Sequence, residues 1–193
     1  TSDFYDYIIV DEFHHAAAPT YQKLLSYYNP QILLGLTATP ERMDGKSILP
    51  YFNNRIAAEI RLPEAIDRKL LCPFQYFGVS DNVDLSELKW SRGGYDKTAL
   101  SNVYTGNDLR TLQILDSVKK YVTDINTVAG IGFCVSKAHA EYMALRFSQY
   151  NIPSASLTSD SSDDVRKNVQ KQLVSGEIKF VFTVDLYNEG VDI

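Results

Sequence analysis

Two adjacent carboxylates, Asp11 and Glu12, end the apolar run Tyr7-Ile8-Ile9-Val10, and His14 follows two places on. A buried strand through Ile8, Ile9 and Val10 delivers both acids to its C-terminal tip, the edge at which open α/β sheets bind ligands. One carboxylate there can hold a hydrated Mg²⁺ while its neighbour orients or deprotonates a water. Hydrolysis of a nucleoside triphosphate needs both jobs, because the protein's share of that chemistry is positioning and charge. A solvated loop after a strand also carries acids, so the pair alone is a hypothesis. A second apolar run, Leu34-Gly35-Leu36, ends in the hydroxyl residues Thr37 and Thr39. Ser and Thr in such places often cap or turn the chain locally. Behind Asp11 to His14, they are read instead as a hydrogen-bond relay.

The elements that must carry these residues alternate. Strands are expected at 7–10, 31–36, 57–60 and 74–79, with helices at 16–28 and 63–71, each with a proline near its start. Residues 81–105 are polar and read as a long connection with a helical piece near 83–88. A second alternating block follows. Leu109, Leu112, Ile114, Leu115, Val118 and Tyr121 form an apolar stripe along a helix over 108–123. Strands at 129–135, 154–157 and 179–184 alternate with helices at 137–150 and 161–173, the last opening on Ser/Asp capping chemistry. Alternation of this kind predicts an α/β fold with parallel sheets flanked by helices.

The ordered set of boxes resembles the helicase-like ATPases of superfamily 2. Asp11-Glu12-Phe13-His14 matches their Walker B box of the DExH type, Thr37-Ala38-Thr39 their motif III, and the span from Thr183 to Asp192 their motif V. Thr39-Pro40-Glu41-Arg42 and Trp90-Ser91-Arg92-Gly93-Gly94-Tyr95 look closest to the type III restriction subunit and XPB-like DNA helicase groups. The resemblance implies two RecA-like lobes, the first incomplete and lacking its opening strands. Its C-terminal part would span 1–72, a connection 73–105, and a truncated second lobe 106–193. ATP and Mg²⁺ are the implied cofactors, with Asp11 on the metal and Glu12 on the attacking water. His14 would link the ATP site to motif III, and Thr37 and Thr39 would carry that link toward the lobe interface. Gly190 and Asp192 would face the ribose or phosphates of ATP. Thr183 would touch a nucleic-acid backbone. Asn188-Glu189 stands where many relatives carry a small residue or Arg.

Ser136 leaves a strand and enters a helix, as in motif IV. It reads equally as a contact to a backbone phosphate and as a plain N-cap. Thr158 follows the next strand in a similar position. Gly45-Lys46-Ser47 imitates the end of a phosphate-binding loop, but Pro40 stands where that pattern needs glycine, and no other match occurs in the chain. His14, His15 and His139 lack partners at zinc-ligand spacing. Tyr27, Tyr28, Tyr51 and Tyr76 sit beside apolar positions and read as core rather than as base-stacking residues.

The 193 residues are 45% hydrophobic and 22% charged, enough for a real core. The net charge of −5 counts against a nucleic-acid binder, although a cleft can carry local positive potential on an acidic protein. No membrane span or signal peptide is read, and Cys72 and Cys134 read as two free, buried thiols of a cytoplasmic protein. The expectation is a fragment of an ATP-dependent DNA helicase or translocase, with RNA left open as partner. Nuclease or targeting domains are expected in the same protein or complex. Without motif I the fragment is expected to hydrolyse ATP poorly by itself. The competing expectation is a non-hydrolysing nucleic-acid clamp or scaffold in a restriction or repair complex.

Overall fold

Strand and helix alternate in the computed structural model, which describes residues 1–40, 47–81, 83–91, 94–184 and 186. The chain divides into two units, Thr1–Phe74 and Gln75–Ile193.

In the first unit β1 (Tyr7–Val10) pairs in parallel with β2 (Ile32–Gly35), Tyr7 facing Ile32 and Val10 facing Gly35. Residues 13–17 form a single 3₁₀ stretch, and α1 (Pro19–Tyr27) follows with proline at its first position, where no N–H is missed. A second 3₁₀ turn (Leu49–Phe52) and the short α2 (Leu62–Asp67) complete the unit. Strand geometry sends alternate side chains to opposite faces. Ile8, Val10 and Leu33 therefore turn to one side, where Val10, Phe13, Ala16 and Ile48 are buried together. Tyr7, Ile9, Ile32 and Leu34 turn to the other side and are exposed.

In the second unit a small antiparallel pair, β3 (Trp90–Ser91) and β4 (Gly94–Tyr95), precedes α3 (Lys97–Tyr104) and α4 (Asp108–Tyr121). Then come β5 (Gly130–Phe133), α5 (Lys137–Gln149), β6 (Ser154–Leu157), α6 (Asp163–Ser175) and β7 (Phe180–Thr183). The three strands form a parallel sheet in the order β5-β7-β6, and the central β7 is buried along its whole length. On one face Phe180 and Phe182 pack against Phe147 of α5 and Leu115 of α4. On the other, Val181 and Leu157 pack against Val169 and Leu173 of α6. Near-continuous apolar runs suit strands covered on both sides.

The α/β class and the parallel sheets with flanking helices agree with the sequence reading and are consistent with a RecA-like fragment. Several elements differ. Residues 57–60 and 74–79 form no strand, because no neighbouring strand offers them a ladder among the described residues. Phe74, Tyr76 and Val79 stay largely exposed. The piece at 83–88 is only a turn, and residues 75–105 group with the second unit. Within that stretch α3 went unforeseen; Asp96 caps it by accepting the Ala99 N–H at 2.8 Å. Tyr27, Tyr51 and Tyr76 are exposed rather than core. Cys72 is likewise exposed, while Cys134 is half-buried and its thiol is pushed up to about 12 by desolvation. Among the described residues no helix is long and apolar enough to cross a membrane.

Glycine is required where β5 lies against the phenylalanines of β7. A β-carbon on Gly132 would fall well under 3.0 Å from the Phe182 ring, in a face already filled by Phe147. Overpacking of this kind costs about 1–3 kcal/mol. Gly132→Ala is therefore expected to lower the stability of the chain by that amount in urea titrations, and an unchanged midpoint would contradict this account of the sheet.

Candidate functional site

The parallel pairing of β1 and β2 brings both chain exits to one edge. Beyond the last residue pair the ladder continues as two bonds: Leu36 N–H donates to Val10 O at 2.9 Å, and Phe13 N–H donates to Leu36 O at 2.8 Å. Asp11 and Glu12 lie between these bonds, so the tip of β1 is fastened to the end of β2. The turn is tight enough to put Glu12 in the left-handed region, at φ 49° and ψ 49°, which a long non-glycine side chain rarely adopts. The Glu12 N–H donates to Asp11 Oδ1 at 2.9 Å.

The side chains then meet. Nδ1 of His14 lies 3.2 Å from Oε2 of Glu12 and 3.1 Å from Oγ1 of Thr37. Thr37 Oγ1 also accepts the Thr39 N–H at 3.1 Å. A histidine bridge can use one ring nitrogen for each partner. Here a single nitrogen serves both, and the tautomer with a proton on Nδ1 shares it between carboxylate and hydroxyl. The ring of His15 is tilted by 46° to that of His14, with the centroids 4.1 Å apart. Asp11, Glu12, Thr37 and Pro40 line one open cleft of the first unit together with Arg55 and Arg61. Glu12 is partly exposed and Asp11 exposed, so solvent reaches both carboxylates.

Asp11 has one oxygen bound to the Glu12 N–H and no other partner among the described residues. Mg²⁺ is commonly held by one or two carboxylates with waters and substrate phosphates completing the shell. A single exposed carboxylate at a strand tip fits that mode, and it does not need the three-residue cage that is absent among the described residues. Gly190, Asp192, Gly45 and Lys46 lie outside the described residues. Ser47 is described, and its hydroxyl accepts the Leu49 N–H at 3.2 Å.

Ser136, Thr158 and Thr183 come together at the C-terminal edge of the second unit's sheet, just after β5 and β6 and at the end of β7. Ser136 caps α5 by accepting the His139 N–H at 3.1 Å, and its hydroxyl lies 2.6 Å from that of Ser101 on α3. Thr158 is buried and accepts the Asp160 N–H at 3.3 Å. Thr183 is fully buried, and its hydroxyl has no partner among the described residues. An ion pair of 2.6 Å between Lys137 and Asp160 joins the first turn of α5 to the turn after β6. Sequence reasoning missed Ser101, Phe13, Gly35 and Phe52, which support these groups from behind. The glycine inside the apolar run Leu34-Gly35-Leu36 was the only available signal.

Residues 1–42 match the family described as type III restriction enzyme, res subunit. The chain is 29% identical over 186 residues to a 51.5 kDa protein of a Lactococcus phage, covering 96% of this chain and 40% of that one. It is 26% identical over 191 residues to a Saccharomyces cerevisiae protein provisionally named ATP-dependent helicase IRC3, covering 96% and 27%. It is 28% identical over 156 residues to the type I restriction enzyme EcoAI endonuclease subunit of Escherichia coli, covering 73% and 19%. These matches support a superfamily 2, helicase- and restriction-subunit-like family for the chain. The chain spans 40% or less of the length of these curated relatives.

Close to Ser136, His139 is buried on α5. Its Nδ1 accepts the Val135 N–H at 3.4 Å, and the Tyr104 ring lies 5.7 Å away. Desolvation first, and then the Arg110 guanidinium, push the imidazole down to about 4. The unfolded chain takes up this proton near 6.5, so between those values it binds more protons than the fold does. Stability should therefore fall as pH drops through the window. His139→Gln is expected to flatten that fall, read as the difference in urea midpoint between pH 7 and 4.5. Equal differences in the two proteins would contradict the assignment.

Proposed function

We propose that this chain is part of an ATP-dependent helicase or translocase that couples nucleotide hydrolysis to movement on DNA. The observation that carries the reading is the contact of His14 with both Glu12 and Thr37, which links the acids at the end of β1 to the hydroxyls at the end of β2. Asp11 would hold the metal, and Glu12 would orient and deprotonate the attacking water. Bound Mg²⁺-ATP would supply the phosphoanhydride bond and neutralise charge on the phosphates. His14 keeps the Glu12 carboxylate in place and passes a change in its position to Thr37, and through the Thr39 N–H to the chain beyond. Such a change would bias a two-state, ligand-driven motion. Gly190 and Asp192 are proposed to meet ATP, and the sheet edge that carries Ser136, Thr158 and Thr183 to follow a nucleic-acid backbone. Contacts of that kind are sequence-independent and weaken with salt. The family match over residues 1–42 and the named relatives support the helicase class, while DNA as the track is the finer part of the proposal.

The test uses the full-length parent. Its ATPase should rise on addition of DNA, and Glu12→Gln should lower kcat at least 100-fold while leaving nucleotide binding within a few-fold, because only the carboxylate that acts on water is removed. A parent that binds DNA but does not turn over ATP would instead favour a clamp or scaffold.

A further inference from the structure

The left-handed Glu12 needs something to hold it. Five non-glycine residues among those described have positive φ, and three of the five are asparagines, which tolerate that region. Glu12 lacks that tolerance, and its own hydrogen bond to Asp11 is local and exposed. The next residue provides the anchor. Phe13 is fully buried, and its ring sits 4.7 Å from that of Phe52 and 5.5 Å from that of Tyr51. Both partners come from the 3₁₀ turn Leu49–Phe52, where the chain returns after the Thr37–Thr39 segment. Gly35 makes the room: a β-carbon there would lie 2.5 Å from the Phe52 ring and 2.8 Å from the Phe13 ring.

We propose that Phe52, closing on Phe13 over Gly35, is a positioning residue that holds Glu12 left-handed and its carboxylate on His14. The attraction of a buried aromatic pair is of the same order as the left-handed penalty, so losing one ring removes a support comparable to the strain that the two flanking backbone bonds would then hold alone. The segment that follows motif III thereby supports the Walker B turn from behind. For its catalytic consequence the inference rests on the ATPase reading of Glu12; its geometric content does not.

Two measurements separate these parts. The first is a crystal structure of the chain carrying Phe52→Leu. Glu12 is expected to leave the left-handed region and the His14–Glu12 contact to open beyond hydrogen-bond reach, while β1 and β2 keep their register. An unchanged φ and contact would overturn the latch, whether or not the parent hydrolyses ATP. Should Phe52→Leu fail to fold, Phe52→Met is judged by the same criteria. The second is DNA-stimulated ATPase of the full-length parent. Phe52→Leu should lower kcat at least tenfold with the KM for ATP within twofold, and Phe52→Tyr should restore kcat to within twofold. An unchanged kcat, or equal damage to kcat and KM, would overturn the positioning role. A wild-type parent inert toward ATP would defeat the ATPase reading and leave the latch to be decided by the crystal structure.

Discussion

The candidate site depends on two backbone bonds just past the β1–β2 ladder, from Leu36 to Val10 and from Phe13 to Leu36. They carry parallel pairing one step beyond the strands and leave Asp11 and Glu12 in the gap between. Without them the acids would sit on a free loop, and Thr37 would have no fixed distance from His14. Each bond satisfies a backbone group that the chain must pair in any case, so the site costs the fold little beyond one left-handed residue. That residue bears the carboxylate assigned to the attacking water. Strain, contact and proposed chemistry therefore fall on the same side chain.

The two units show how differently a parallel sheet can be covered. In the second, β7 is buried on both faces by α5 and α6, and glycines on β5 let the phenylalanine rings lie flat between sheet and helix. In the first, among the described residues, only the face of Val10 and Phe13 is covered. Tyr7, Ile9, Ile32 and Leu34 form an exposed apolar row on the opposite face. Parallel strands are ordinarily buried on both sides. The candidate site nonetheless lies on the well-packed part of the first unit, where the aromatic rings of Phe13 and Phe52 support it.

Much of this was legible in residue order. An apolar run stopping at Asp11-Glu12 with His14 behind it, and a second run stopping at Thr37, place four groups at one sheet edge as soon as the strands are taken as parallel. The same logic brings Ser136, Thr158 and Thr183 to one edge of the second sheet. Orientation was not legible. Nothing in the sequence says that Thr183 is fully buried, that Ser136 is engaged by Ser101, or that one nitrogen of His14 serves two partners. Those facts depend on rotamers and on the turn at Glu12, which follow from tertiary packing rather than from local preference. Residues 57–60 and 74–79 were misread as strands because β-propensity describes fit to a neighbour and cannot supply one. Helix α3 was overlooked because Lys97–Tyr104 is only weakly apolar and is specified largely by its Asp96 cap.

The central claim is that His14 joins Glu12 and Thr37 into one working unit. A double-mutant cycle on the DNA-stimulated kcat of the full-length parent tests it most directly, with His14→Ala, Thr37→Val and the pair combined. If the bridge operates as a unit, each single change lowers kcat by a similar factor and the double variant is no worse than either. If the two losses multiply, His14 and Thr37 act independently, and the account of a wired site at the tip of β1 is wrong.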